Sequence, residues 1–183
     1  MTIFEINAPG QFIQTLWQIL KMNETKIDTI DYVLASIYLG VGMLIWLAYI
    51  FSFLPQEQIN QMLMAITLGG PVSLFLMYYK RLRIKSVMLL WSVIGIVQMI
   101  TVYQLKGNPD FRAVNGTYAD NHLSLLTMVV MVLIFRVTSL LITRQELVVA
   151  AWFSPDDYRK PNILDYIFTL IGFLFLTLWG TLI

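Results

Sequence analysis

Residues 32–54, between Asp31 and Pro55, include no charged side chain, and the same pattern recurs along the chain. Uncharged runs cover residues 61–79, 86–105 and 166–183, and the run 123–142 carries a single charge, Arg136. A bilayer core is about 30 Å thick and a helix rises about 1.5 Å per residue, so each run is close to the length needed to cross. Lipid-exposed backbone must satisfy its own hydrogen bonds, which selects helices. The expected fold is an all-α integral membrane protein with about five transmembrane helices in one membrane domain. The spans fall near residues 30–54, 60–79, 86–105, 123–143 and 163–183.

Composition points the same way. Of the 183 residues, 58% are hydrophobic and 13% charged, against about 25% charged in ordinary soluble domains. Mean hydropathy is +0.71. A net charge of +1 argues against a nucleic-acid partner, which needs clustered basic surface. Zero cysteines and one histidine leave little for disulfides, thiolate chemistry or metal binding. No glycine-rich phosphate loop, paired intramembrane carboxylates or metal-ligand spacing is present, and no cofactor is expected.

Basic residues set the expected orientation. With the N-terminus in the cytoplasm, that side receives Lys21, Lys26, Lys80, Arg81, Arg83, Lys85, Arg144, Arg159 and Lys160, and the far side only Lys106 and Arg112. This is the positive-inside pattern, and five spans then put the C-terminus in the periplasm. A bacterial inner membrane is the expected location, with an organellar membrane the alternative. No basic residue precedes the first apolar stretch, unlike a signal peptide.

The cytoplasmic segment 1–29 includes an amphipathic stretch. Phe12, Ile13, Leu16, Trp17 and Leu20 share one helical face, opposite Gln11, Gln14, Thr15, Gln18 and Lys21. It is expected to lie at the interface or to dock on a partner through Phe12, Leu16 and Trp17. In the external loop, Asn115-Gly116 separates two short β-prone runs and predicts a small hairpin. Asn115-Gly116-Thr117 is also a glycosylation sequon. The fourth helix is expected to continue past Arg144 toward Phe153, with a short new helix starting at Ser154-Pro155.

Few residues carry chemistry. Arg136 is the one ionisable group well inside an apolar run, and intramembrane charge is costly. It is expected to pair with Asp31 or Asp165, or to snorkel, with an ion or proton path as the functional alternative. Gly69-Gly70-Pro71 predicts a kink in the second span, either a packing device or part of a broken-helix site. Gln98 and Thr127 are placed to hydrogen-bond between helices. Ser36 with Gly40, and Gly172 with Gly180, are candidate close approaches.

Catalysis would have to rest on Asp110, Asp120 and His122, and haem ligation on His122 with Met128. Neither set has the orienting partner or second histidine such chemistry uses. The expected function is a non-catalytic subunit of a larger membrane complex, in contact with lipid and other membrane subunits. A small oligomeric transporter or channel is the alternative, followed by a membrane enzyme or an immunity-type inhibitor of another membrane protein.

Overall fold

The computed structural model describes residues 27–105, 107–113, 116–118, 120–151 and 159–182. The amphipathic stretch with Phe12, Leu16 and Trp17, and the helix start expected at Ser154-Pro155, lie outside the described residues. The protein is all-α. Its long helices are α1 Thr29–Ile50, α2 Gln56–Met77, α3 Lys85–Leu105, α4 Leu123–Thr143 and α5 Ile163–Leu182. The first three, and α4 with the turn Asp120–His122 ahead of it, are long and apolar enough to cross a membrane. The fifth is a further apolar helix.

Outward faces of the bundle are apolar. Ile37, Met43 and Leu44 of α1, Val93 and Ile100 of α3, Ile134 of α4 and Leu170 of α5 are exposed. Water would penalise that surface, and lipid tails do not. The interior is knit around Trp91 of α3, whose ring meets Tyr38 edge-on at 5.6 Å and Tyr78 at 6.2 Å. Phe75, Leu125 and Met128 fill the space beside it.

Glycines set the closest approaches. A Cβ on Gly95 would stand 3.2 Å from the Leu126 backbone, joining α3 to α4. On Gly172 it would fall 2.5 Å from the Phe75 ring, joining α5 to α2, and on Gly70 it would fall 2.6 Å from Tyr38. Gly40, by contrast, faces open space and Ser36 is exposed, so among the described residues no helix approaches there.

The second helix starts earlier than its uncharged run, because Glu57 sits in its first turn, where the helix dipole favours an acid. At Gly69-Gly70-Pro71 the backbone forms a π turn, Ala65–Gly69, ahead of Pro71. Proline supplies no N–H to the carbonyl four residues back, that of Thr67. The Ser124 hydroxyl of α4 donates to that carbonyl instead. Thr67 is fully buried, so the bond satisfies a group that no water reaches.

At one end, strands β1 Arg112–Ala113 and β2 Gly116–Thr117 pair antiparallel. Ala113 is opposite Gly116, so Gly116 belongs to a strand and not to the turn expected at Asn115-Gly116. Phe111 lines a small cavity together with Ile45, Ile59, Leu63 and Leu105. The loop is also tied to α1 and α2: Tyr49 donates to Asp110 at 3.1 Å, and Gln56 and Asn60 donate to the Asp110 carbonyl at 3.0 and 3.1 Å.

Candidate functional site

Charge gathers at the opposite end, around a segment the sequence reads as helix. The fourth helix stops at Thr143, and Arg144 follows in the left-handed region at φ 55°. Residues 145–151 have no regular secondary structure, yet Leu147, Val148 and Val149 are buried. Buried irregular backbone requires partners for its polar groups.

Side chains supply them. Ser139 donates to the Gln145 carbonyl at 3.1 Å, Arg159 to that of Glu146 at 2.7 Å, and Arg83 to that of Leu147. The Val148 amide donates to Asp165 at 3.0 Å and the Ala150 amide to Thr169 at 2.8 Å. The segment is thus a strap held down by α5, α4 and the α2–α3 connection.

Arg136 belongs to this clamp and meets neither Asp31 nor Asp165. Its guanidinium forms a two-pronged bond to Glu146, at 2.8 Å from Nε and 2.7 Å from Nη2, and donates to the Arg83 carbonyl at 3.3 Å. Had α4 continued as a helix, Glu146 would stand ten residues on, about 15 Å along the axis and out of reach. The left-handed turn at Arg144 folds it back.

Asp165 is fully buried and binds Arg159 at 2.6 and 3.0 Å, while also accepting the Asn162 amide at 2.8 Å to cap α5. Asp31, equally buried, accepts the Asp28 amide at 2.7 Å to cap α1. It takes Arg81 through Nε at 3.0 Å and through Nη2, and the Tyr78 hydroxyl donates to it. Burial and the Asp31 carboxylate push the Tyr78 phenol well above its ordinary range, so it remains a donor. The hydrogen bond to Asp31 likewise pushes Arg81 upward.

Gln98 donates to Tyr38 at 3.0 Å, joining α3 to α1. Thr127 instead lines an open apolar groove between α4 and α5, and Ser124 makes the bond between α4 and α2. Asp120 holds the hairpin by accepting from the Thr117 amide and hydroxyl, both at 2.9 Å. Asp110 and Asp120 are therefore engaged in holding the loop.

His122 is 6% exposed, and neither ring nitrogen has a partner among the described residues. No group of three histidine, cysteine, aspartate or glutamate side chains suited to a metal occurs among those residues. Glu146 completes the charged network together with Arg81, Arg83 and Arg159, which in the sequence mark only orientation. The one signal for Glu146 was the demand for an acid beside Arg136.

The chain matches no protein-family model, and no curated protein or solved structure is similar to it.

Proposed function

We propose that the chain is a non-catalytic integral membrane subunit of a larger membrane protein assembly. The observation that carries this reading is the closure of its intramembrane charge. Arg136, Asp31 and Asp165, the ion-pair candidates from the sequence, each bond within the chain to fold a strap or cap a helix. A transporter would hold such groups toward a water-filled route, and an enzyme would aim them at a substrate. Here they hold the bundle's own backbone.

The fifth helix completes the proposed membrane domain. Ile163–Leu182 has 20 residues, about 30 Å of helix, which matches the hydrocarbon core. Five spans with the N-terminus in the cytoplasm put the clamped basic end inside and the hairpin in the periplasm, in keeping with the positive-inside pattern. The proposed membrane is a bacterial inner membrane.

Purification at native expression level in mild detergent, followed by native mass measurement, tests the reading. A stoichiometric complex with different polypeptides is expected, and a monomer contradicts it. A homo-oligomer favours the second reading, a small transporter or channel. The π turn in α2 beside buried Thr67 and Ser124 supports that alternative, since π turns recur at functional sites.

A further inference from the structure

Between α4 and α5 an apolar groove runs from mid-bundle toward the hairpin end. At its inner limit Phe135 of α4 stacks on Phe168 of α5, ring centroids 4.7 Å apart and 6° from parallel. From there Leu126, Thr127, Val130 and Ile134 of α4 face Ile171 and Phe175 of α5 across it. Its volume is about 460 Å³, within the roughly 300–1,000 Å³ of sites that hold small molecules. Val130, Ile134 and Ile171 are exposed, so the groove opens to the surrounding lipid.

Thr127 is the polar side chain in these walls, and it differs from the other helical threonines. Thr67, Thr101, Thr138, Thr143, Thr169 and Thr177 each donate to the carbonyl four residues back, which satisfies a hydroxyl inside a helix. Thr127 makes no such bond, nor any other among the described residues. An unpaired hydroxyl in an apolar wall favours an occupant that brings an acceptor.

Depth decides the kind of occupant. The 21 residues of α4 make about 31 Å of helix, which matches the hydrocarbon core. Leu126 to Phe135 is about 13 Å along that axis and ends near its middle, so the groove is as deep as one leaflet, about 15 Å. A partner's transmembrane helix would cross the whole core and need a seam of about 30 Å. An acyl chain ends at the midplane, where the phenylalanine stack closes the groove. Thr127 lies about 6 Å inside the start of α4. Helical side chains tilt toward the N-terminus, which aims its hydroxyl at the hairpin end, the side on which a lipid in that leaflet carries its ester carbonyls.

We infer that the groove binds a diacyl phospholipid of the leaflet at the hairpin end, with one acyl chain between α4 and α5 and its ester carbonyl accepting a hydrogen bond from Thr127. The site needs only that the bundle lies in a membrane, and it holds for either function reading. No charged side chain lines the groove, so the linkage of the chain, rather than the headgroup, governs retention.

The test uses the full chain in mild detergent, with phosphatidylethanolamine in a diester form and in a diether form of the same chain length as probes. Retained lipid is counted by native mass spectrometry. An ether oxygen is a poor acceptor, so the diester should be held about five-fold more tightly, the contribution of one hydrogen bond. Thr127→Val removes the hydroxyl and should bring the diester down to the level of the diether, with the diether unchanged. Val130→Trp, which fills the groove and leaves Thr127 in place, should lower retention of both.

Equal retention of the two linkages by the wild-type chain overturns the proposal, and so does a preference that survives Thr127→Val. Unchanged retention on Val130→Trp puts the lipid elsewhere and overturns it too. A co-purifying polypeptide released by Val130→Trp would assign the groove to a protein helix, with the same consequence.

Discussion

Arg136 has 7% of its side chain exposed and Glu146 has 42%, so removing one partner differs from removing the other. Glu146→Leu leaves a guanidinium that cannot shed its proton, buried and short of an acceptor. It should cost about 3 kcal/mol. Arg136→Leu leaves a carboxylate that water can reach and should cost roughly 1 kcal/mol. The double variant should be close to Arg136→Leu alone, and thermal unfolding in detergent of the three variants checks the order. Equal single losses that add strictly in the double would contradict the pairing. Arg136 was visible in the sequence as a charge needing an acid; its partner was not. Asp31 and Asp165 are the nearer candidates if α4 runs on, and only the left-handed turn at Arg144 brings Glu146 into reach. Nothing in a residue type that ordinarily extends helices announces such a turn.

At the scale of elements, uncharged runs locate the helices well, because lipid leaves a long segment few alternatives to helix. Their ends follow other physics. The second helix starts at Gln56 because a first-turn acid is favourable, and the fourth stops at Thr143 because residues 145–151 find side-chain partners elsewhere. The Gly69-Gly70-Pro71 signal predicts a kink, and its outcome is a π turn ahead of Pro71, with the Thr67 carbonyl taken by Ser124. That yields a paired prediction. Ser124→Ala should cost about 1 kcal/mol by leaving the Thr67 carbonyl without a donor. In a Pro71→Ala background, where residue 71 regains its N–H, the same change should cost clearly less. An identical cost in both backgrounds, measured by thermal unfolding, would separate Ser124 from the proline.

At the scale of the molecule, the two ends are built differently. The hairpin end is closed by hydrogen bonds from Tyr49, Gln56 and Asn60 to the Asp110 region, and the clamped end by arginine–carboxylate pairs. In the proposed orientation the second end faces the cytoplasm. The chain has no cysteine, so a single introduced one reports its own position without background. The most direct measurement is labelling of Lys85→Cys, Arg144→Cys, Lys160→Cys and Thr117→Cys by a membrane-impermeant maleimide in intact and permeabilised cells. Labelling of Thr117→Cys in intact cells, with the other three labelled only after permeabilisation, is the result predicted. Labelling of Arg144→Cys or Lys160→Cys in intact cells would contradict the orientation, and opposite sidedness of those two would contradict a strap that returns to the end it left.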